Sequence, residues 1–300
     1  MSSRRHFLQS SAAVLASSLA LPVLARAAGA PAAVASIAGA KDFATLEKAS
    51  GGRLGVTLLD TATGHVRGHR QDERFPMCST FKYVLAATVL GQVDAGGLAL
   101  DRRVPVREQD MLSHAPVTSR HVGKDMTVRD LCRATMTTSD NPAANLLLGV
   151  VGGPPAVTAY LRAQGDAVTR NDRTEPSMNQ FAEGDPRDTT SPSAMAHTLQ
   201  RFVLGDALSA ASRQQLADWL IDNETGAAVL RAGLGKRWRV GDKTGSDGKD
   251  TRNDIAVLWP LAGGSPWVLT AYLQGARVDS AQRDAVLARV GALADAMLAG

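Results

Sequence analysis

The stretch Ser79-Thr80-Phe81-Lys82 decides how this chain is interpreted, because two shorter motifs follow it in a fixed order. Ser139-Asp140-Asn141 comes next, and Lys243-Thr244-Gly245 lies near the C-terminal end. An S-x-x-K tetrad occurs by chance about once in a chain of this length, whereas each tripeptide is roughly ten times rarer. The ordered set is therefore a strong signal. It supplies a nucleophile, a base, a second proton carrier and an anion-binding strand.

The first motif places a serine hydroxyl and a lysine amine on one side of a predicted helix. The apolar residues behind the serine have helical spacing: Phe81, Val84, Leu85 and Val89. Ser79 then stands at the helix N-terminus, where backbone N–H groups favour a developing anion. Lys82 returns to the same face three residues later. As a neutral amine it can accept the serine proton, and as a cation it can stabilise the alkoxide. The alternative is an ordinary helix cap followed by a solvated lysine.

The second motif falls in a predicted turn between two helices. Thr127-Val128-Arg129-Asp130 resembles a capping box that opens the first helix. The second helix begins with Asn141 as its cap and Pro142 at its first position. Ser139 can pass a proton to a leaving nitrogen, and Asn141 can offer its amide to a substrate amide. Asp140 is interpreted as a structural acceptor. Capping chemistry alone is the alternative for the whole motif.

The third motif lies on a predicted strand and continues into a serine. Lys243 and Thr244 would bind a carboxylate, and Gly245 removes a side chain so that a ligand can approach the backbone. The N–H of Ser246 could join that of the nucleophile as an oxyanion hole. Arg252, on the neighbouring strand, could supply a second cation. A normal strand end and a surface arginine are the alternatives.

A long polar loop over residues 170–188 lacks helical or strand periodicity, and such loops in compact domains are usually functional. Glu175 and Asn179 could hold a water between them, which would provide a general base separate from the lysine. Arg173 and Asp188 could close the loop with an ion pair. At a surface, such a pair would contribute under about 1 kcal/mol.

Residues 1–27 are interpreted as a signal peptide. Ser3-Arg4-Arg5-His6-Phe7-Leu8 is a twin-arginine pattern, an apolar run follows from Ala12 to Leu24, and Ala25-Arg26-Ala27 offers a cleavage site. A membrane span is the alternative, but the apolar run is too short and Pro22 interrupts it. We therefore expect export to a bacterial periplasm, with no membrane association after cleavage.

Charge and cysteine content exclude several classes of protein. Arg4, Arg5 and Arg26 of that segment account for three of the four net positive charges of the 300-residue chain. The remainder is nearly neutral and has no basic run with interleaved aromatics, so we expect no nucleic-acid partner. Cys78 and Cys132 have no His or Asp at zinc-ligand spacing, which disfavours a metal enzyme. A small soluble substrate fits better.

Strands are predicted at both ends of the chain and helices in the middle. The strand-like segments are residues 53–59, 237–244, 255–259 and 267–273, and a helix starts at Ser280. This order predicts an α/β plus all-α protein, with one antiparallel sheet assembled from both termini, flanked by helices, and a central helical lobe. We expect the lobes to be residues 28–69 with 222–300 and residues 70–221, with the cleft between them as the site.

With these motifs the chain resembles the class A serine β-lactamases over essentially all residues after 27. The resemblance implies a β-lactamase/transpeptidase-like fold, a monomer and no metal or organic cofactor. It also implies hydrolysis of the β-lactam amide of penicillins and cephalosporins through an acyl-Ser79 intermediate, giving antibiotic resistance. Glu175 would activate the deacylating water and Asn179 would help to hold it. Lys82 and Glu175 both remain open as the acylation base.

The resemblance carries further implications at individual positions. His114 matches a position at the cleft mouth where a substrate contact is expected, and the Glu175-Pro176 bond is expected to allow a cis peptide. Some family members pair a cysteine at the position of Cys132 with one at that of Ala86. Certain carbapenem-hydrolysing members pair the equivalent of Cys78 with a cysteine at the position of Asp247. Since this chain completes neither pair, two free thiols are predicted.

Asp247 departs from the small uncharged residues that are commoner at its position in the family. A carboxylate beside the cleft would repel anionic substituents and select among cephalosporins.

The competing interpretation is a penicillin-binding D-alanyl-D-alanine peptidase, or a β-lactam sensor, which would share the nucleophile. Glu175 together with Asn179 favours the hydrolase, because a dedicated deacylation base allows hydrolysis of an acyl-enzyme that would otherwise persist.

Overall fold

A five-stranded antiparallel sheet with the order β2-β1-β9-β8-β7 organises the computed structural model, which describes residues 29–299. The predicted signal peptide, residues 1–27, lies outside the described residues. The strands of this sheet are β1 (Arg53–Asp60), β2 (Val66–His69), β7 (Trp238–Ser246), β8 (Arg252–Pro260) and β9 (Trp267–Gln274). The short pairs are β3 (Phe75–Pro76) with β6 (Thr189–Thr190), and β4 (Arg103–Val106) with β5 (Lys124–Thr127).

The predicted sheet from both termini is confirmed. β1 pairs along its whole length with β9, from Arg53 opposite Gln274 to Asp60 opposite Trp267. The chain reverses between β1 and β2 in a tight turn, where the N–H of Gly64 donates to the carbonyl of Asp60. Side chains of β1 alternate between two cores, so the strand is buried on both faces.

Helices cover both faces of the sheet. They are α1 (Gly29–Gly39), α2 (Phe43–Ser50), α3 (Phe81–Asp94), α4 (Val128–Thr137), α5 (Asn141–Val151), α6 (Pro154–Ala163), α7 (Pro192–Leu199), α8 (Ala210–Ile221), α9 (Leu230–Gly233) and α10 (Ser280–Met297). On one face, Leu54 and Val56 of β1 share a core with Val286 and Val290 of α10. On the other, Tyr272 of β9 belongs to the core of the central helices.

Two of the predicted helix starts differ in detail from the structure. Thr127 caps α4 by accepting from the N–H of Asp130 at 3.1 Å, but the Asp130 carboxylate accepts from the Thr127 hydroxyl, so the reciprocal half of a capping box is missing. The prediction of Asn141 as the cap of α5 is wrong. Asp140 is the cap, since its Oδ1 accepts from the N–H of Ala143 at 2.9 Å. Asn141 is left free for the cleft.

The described N-terminal helices are tied to the sheet through Glu47, on α2. Its carboxylate accepts from the backbone N–H of Leu54 at 2.9 Å, from Arg70 through both oxygens, and from His69. Partial burial raises the pKa of Glu47, but the hydrogen bonds from Arg70, Leu54 and His69 outweigh it and hold the pKa at about 2.

We expect Glu47→Gln to lower the free energy of unfolding at neutral pH by about 1–2 kcal/mol. Because the pKa is depressed in the folded state, this stability is fully present above the ordinary value of 4.5 and is lost as pH falls through about 2. Urea unfolding at a series of pH values measures it. Glu73→Gln, at a more exposed ion pair, is the control and should cost under about 0.5 kcal/mol. If the difference in free energy of unfolding between the parent and Glu47→Gln did not change with pH, this account would be contradicted.

Candidate active site

The nucleophile turn is held against the sheet by its backbone. Residues Cys78–Thr80 form a single 3₁₀ turn that runs directly into α3. Asn253, on β8, donates its Nδ2 to the carbonyls of Pro76 at 2.9 Å and Met77 at 3.0 Å. Because α3 is buried from its first residue through Leu90, the turn has a rigid base. Ser79 is therefore presented at the start of a helix, as predicted.

Lys82 lies at the centre of the site and is fully buried. Its Nζ donates to Ser79 Oγ at 3.0 Å, to Asn141 Oδ1 at 2.5 Å, and to the carbonyl of Ser139 at 2.7 Å. Glu175 Oε1 lies 3.4 Å away. Burial lowers the pKa of Lys82, and the Glu175 carboxylate acts in the opposite direction. The first and second motifs and the long loop thus meet at one ammonium group.

Ser139 connects the two lysines of the site. Its Oγ lies 3.2 Å from Lys82 Nζ and 3.1 Å from Lys243 Nζ. Its backbone has a φ of 61°, the left-handed region that non-glycine residues rarely adopt. This conformation points the hydroxyl between the two amines, where it can receive a proton from one and pass a proton on.

The other residues of the second motif have separate roles. Asp140 is buried, and its carboxylate accepts from the N–H groups of Val117 and Thr118, so it is structural as predicted. Asn141 donates its Nδ2 to the carbonyl of Ser113 at 3.0 Å. His114, next to that carbonyl, lines the cleft and hydrogen-bonds through Nε2 to the carbonyl of Thr138.

The Glu175 loop is held onto α5 by a residue that the sequence analysis missed. Asn145 donates Nδ2 to the carbonyl of Glu175 at 2.8 Å and accepts from its N–H at 3.0 Å. The Glu175-Pro176 bond is cis. Asn179 donates to Glu175 Oε2 at 2.8 Å. The position of Asn145, one helical turn after Asn141, was the available signal, because residues four apart share a helix face.

The predicted ion pair that closes this loop is present and largely buried, so the surface alternative does not describe it. Asp188 is fully buried and accepts from Arg173 Nε at 2.6 Å. The same carboxylate also accepts from the N–H groups of Asp172 and Arg173 and from Asn171 Nδ2. A carboxylate with four donors organises the loop backbone, so its removal would leave buried N–H groups unpaired.

β7 forms the opposite wall of the cleft. Thr244 Oγ1 contacts Thr225 Oγ1 at 2.5 Å, a partner that the sequence analysis missed. Gly245 has a packing role that was not predicted. A Cβ there would lie 2.8 Å from the carbonyl of Met77, so the glycine allows the strand to approach the nucleophile turn. Close packing within the protein thus requires this glycine, and because Gly245 also lines the cleft, its role in ligand approach stays a prediction.

Cations and a carboxylate surround the end of β7. Ser246 pairs with Arg252 across the sheet, and Arg252 donates Nε to Asp284 of α10 at 2.6 Å. Asp247 Oδ1 accepts from three N–H groups of the β7–β8 turn, those of residues 249–251. Since Asp247 also lines the cleft, its predicted repulsion of anionic substituents stays a prediction.

The cleft has a volume of about 550 Å³, the size of a small-molecule site. Its lining includes the nucleophile, candidates from the other motifs and the loop, and the cation of β8: Ser79, Ser139, Asn141, Glu175, Asn179, Thr244, Ser246 and Arg252. Lys82 and Lys243 lie beneath it, fully buried. A larger cavity, of about 770 Å³, lies between residues 51–53 and 181–186 and holds no motif residue. The chemistry therefore points to the smaller cleft.

Both cysteines are free and buried, which confirms the prediction of two free thiols. Burial raises the pKa of Cys78 and Cys132 alike. Cys78 precedes the nucleophile and has a φ of 46°, so it shapes the turn without being available for reaction.

Within residues 29–299, no group of three or more His, Cys, Asp or Glu side chains is arranged to hold a metal ion. In the same part of the chain, no single helix has the length and hydropathy of a membrane span. Only the bent pair α5 and α6 meets that test when both are taken together.

Comparison with known proteins gives a consistent result. Residues 39–297 match the Beta-lactamase enzyme family. The chain is 70% identical to Beta-lactamase L2 of Stenotrophomonas maltophilia, over 99% of this chain and 100% of that protein. It is 48% identical to Beta-lactamase CTX-M-8 of Citrobacter amalonaticus, over 82% and 84% of the two chains. A crystal structure of L2 complexed with relebactam superposes with a TM-score of 0.88 at 73% identity, covering 89% of this chain and 98% of that one. A β-lactamase structure from Xanthomonas campestris gives 0.84 at 57% identity, covering 85% and 96%.

Proposed function

This chain belongs to the class A serine β-lactamase family and hydrolyses β-lactams, which gives antibiotic resistance, and we propose that it does so through an acyl ester on Ser79. The observation that carries this mechanism is the buried cluster in which Lys82 Nζ contacts Ser79 Oγ at 3.0 Å and Glu175 Oε1 at 3.4 Å. One ammonium group thus contacts both the nucleophile and a carboxylate. That combination serves both formation and hydrolysis of an ester.

In acylation, Ser79 Oγ attacks the β-lactam carbonyl carbon and its proton passes to a base. The candidates for that base are Lys82 as a neutral amine, 3.0 Å from Ser79 Oγ, and Glu175, whose Oε1 lies 3.4 Å from Lys82 Nζ. The backbone N–H groups of Ser79 and Ser246 stabilise the oxyanion. When the C–N bond breaks, the Ser139 hydroxyl donates its proton to the ring nitrogen and recovers one from a neighbouring lysine. The product is an ester between Ser79 and the opened ring.

In deacylation, Glu175 removes a proton from a water held between Glu175 and Asn179. Asn179 Oδ1 is buried and has no hydrogen-bond partner among the described residues, and buried Glu175 Oε1 has only the 3.4 Å ion pair with Lys82, so both oxygens can accept from a water. The water oxygen adds to the ester carbon, the bond to Ser79 Oγ breaks, and the serine regains a proton. The open-ring acid is released.

Substrate binding uses the cations at the end of the sheet. We assign Lys243, Thr244 and Arg252 to the carboxylate that penicillins and cephalosporins carry on the ring fused to the β-lactam. Asn141 contacts the substrate amide, and His114 contacts the substrate at the cleft mouth. Burial, reinforced by the nearby charge of Lys82, lowers the pKa of Lys243 to about 7. Its charge therefore depends on pH near neutrality.

We expect kcat/KM for benzylpenicillin to fall as pH rises above about 7, because Lys243 then loses the charge that binds the carboxylate. The methyl ester of benzylpenicillin lacks that anion, so its kcat/KM should not follow the same decline. Measuring both substrates from about pH 5.5 to about pH 9 tests this. A decline shared equally by the acid and its ester would contradict the assignment of Lys243.

The competing function is that of a penicillin-binding D-alanyl-D-alanine peptidase or a β-lactam sensor. Glu175 favours the hydrolase, because its carboxylate reaches the nucleophile cluster from a separate loop. Incubation with a D-alanyl-D-alanine peptide and, separately, with benzylpenicillin separates the functions. We expect repeated turnover of benzylpenicillin and no measurable release of D-alanine. Release of D-alanine with stoichiometric loss of penicillin would favour the peptidase.

The remaining assignments concern the whole protein. We place the mature enzyme in the periplasm, exported by the twin-arginine route, as a monomer without metal or organic cofactor and without a nucleic-acid partner. One lobe consists of residues 28–69 and 222–300, and the central helical lobe consists of residues 70–221. The twin-arginine pattern supports the export route, and the cleft supports a small-molecule β-lactam substrate.

A further inference from the structure

Two aspartates lie side by side within the sheet, behind the substrate-binding strand. Asp242 is on β7 and Asp254 is on β8, opposite Thr244, so the two aspartates occupy diagonal positions on one face of the sheet. Both are fully buried. Diagonal neighbours on one face of an antiparallel pair lie within reach of each other, and Asp254 Oδ1 is buried with no hydrogen-bond partner in the described part of the chain. Two buried carboxyl groups placed this way cannot both be ionised, so one of them carries a proton.

The partners of the two carboxyls show which one carries the negative charge. Asp242 accepts from Arg231 Nε and, at 3.0 Å, from Asn223 Nδ2. Asp254 accepts only a long bond, 3.3 Å, from the N–H of Leu230. Burial raises the pKa of both groups, most strongly that of Asp254. The proton therefore resides on Asp254, and Asp242 is the charged acceptor.

Water is excluded from this pair by the loop that crosses it. A Cβ on Gly226 would overlap Asp242 Oδ2, so the backbone of that residue lies directly on the carboxylate. Water therefore screens the charge of Asp242 poorly, and the group that offsets it directly is the guanidinium of Arg231.

Lys243 has no carboxylate within hydrogen-bond distance among the residues that the structure describes. Its Nζ donates to Ser139 Oγ and, at 2.9 Å, to the carbonyl of Thr244. Of the charges that act most strongly on it, Lys82 and Arg252 are cationic and lower its pKa, whereas Asp242 and Asp254 raise it. Arg252 is itself partly neutralised by Asp284 of α10. Among these groups, the negative charge that supports the Lys243 ammonium comes from the aspartate pair.

A hydrogen-bond chain also links the pair to the substrate side of β7. Asn223 donates to Asp242 and accepts, through Oδ1, from the hydroxyl of Thr225 at 2.8 Å. Thr225 Oγ1 in turn contacts Thr244 Oγ1 at 2.5 Å. The ammonium of Lys243 and the hydroxyl of Thr244 thus both depend on Asp242.

We propose that Asp242 and Asp254 are positioning residues that share one proton, and that the single negative charge left on the pair keeps Lys243 protonated to bind the carboxylate of the substrate. The proposal rests on the assignment of Lys243 made above. The pair acts at a distance, through Lys243 and Thr244, and contacts no substrate itself.

Infrared spectroscopy of the free enzyme tests the shared proton without any substrate. At neutral pH the parent should show the carbonyl band of a protonated carboxylic acid, and Asp254→Asn should remove it. The amide replaces a neutral acid of similar shape and leaves the charge of Asp242 in place. A parent–variant difference spectrum without this band would overturn the proposal, even if Asp242→Asn failed to fold.

Kinetics test the effect on Lys243. For Asp242→Asn we expect KM for benzylpenicillin to rise about tenfold at neutral pH, and the basic decline of kcat/KM to begin about one pH unit lower. In the same Asp242→Asn variant, KM for the methyl ester should not change. The Asp254→Asn variant should keep the parental ratio of kcat/KM for benzylpenicillin to kcat/KM for its methyl ester.

The possible failures are distinguishable. If Asp242→Asn lowered kcat/KM equally for the acid and the ester, its role would be merely structural. That result would overturn this inference but not the assignment of Lys243. An Asp242→Asn enzyme that keeps the parental preference for the acid would have the same consequence. A parent enzyme that already treats acid and ester alike would overturn both the carboxylate contact of Lys243 and the inference built on it.

Discussion

Replacing Ser79 with alanine should lower kcat/KM for benzylpenicillin by roughly 10⁶-fold, which is the scale seen when a serine nucleophile is removed from a hydrolase. The loss is large because the Ser79 hydroxyl is the acyl acceptor, and the lysine and carboxylate around it act only through that oxygen. The folded state should be preserved, since Ser79 is only partly buried and α3 keeps its packing.

Steady-state hydrolysis and thermal unfolding of the Ser79→Ala variant measure the two properties separately. Ser193→Ala, on α7 and outside the cleft, is a matched control and should retain parental activity. A Ser79→Ala enzyme with more than a few per cent of parental activity would show that the nucleophile lies elsewhere.

Replacing Glu175 with glutamine should lower kcat by roughly 10³-fold while leaving an early burst of ring opening equal to one molecule of substrate per enzyme. The amide keeps the shape and the contact with Asn179 but cannot accept a proton, so the ester on Ser79 persists. Stopped-flow measurement of the burst and of the later steady rate separates the two steps. The same experiment addresses the acylation base. An unchanged burst rate assigns that role to Lys82, and a slowed burst assigns it to Glu175.

Glu183→Gln is the matched control for this prediction, because it makes the same chemical change at an exposed position of the same loop. We expect Glu183→Gln to have the kcat of the parent enzyme. A Glu175→Gln enzyme that turns over at the parental rate would remove Glu175 from deacylation.

The catalytic motifs were predictable because each one is local. Lys82 lies one helical turn after Ser79, so helix geometry alone brings the amine and hydroxyl together. The strand at Lys243 was visible from its alternating pattern, and the sheet followed from strands at both ends of the chain. The observed 3.0 Å contact between Lys82 and Ser79 agrees with that local reasoning.

The residues that the sequence analysis missed act across long separations. Asn145 holds the Glu175 loop from thirty positions away, and Thr225 contacts Thr244 from the loop after α8. The aspartate pair is also invisible locally, since Asp254 would be interpreted as a turn residue until the sheet places it beside Asp242. These contacts depend on the packed structure, which no short motif encodes.

The error at Asn141 and the unforeseen packing role of Gly245 have a related cause. Asp140 and Asn141 are both good caps, and only the contact of Asn141 with Lys82 shows which one is free of the helix. Gly245 follows a ligand-binding pair, so a ligand seemed the reason for its missing side chain. The neighbour that requires it is the carbonyl of Met77, which lies far earlier in the chain.

The most direct test of the central claim is intact mass spectrometry of the mature enzyme after mixing with excess benzylpenicillin, alongside Glu175→Gln. Because ring opening releases no leaving group, an acyl-enzyme gains the full mass of the antibiotic. We predict an unmodified parent after many turnovers and a one-to-one adduct on the variant, mapped by peptide digestion to Ser79. A stable adduct on both proteins would identify a penicillin-binding peptidase or sensor and contradict the account, and so would a variant that never acquires the adduct.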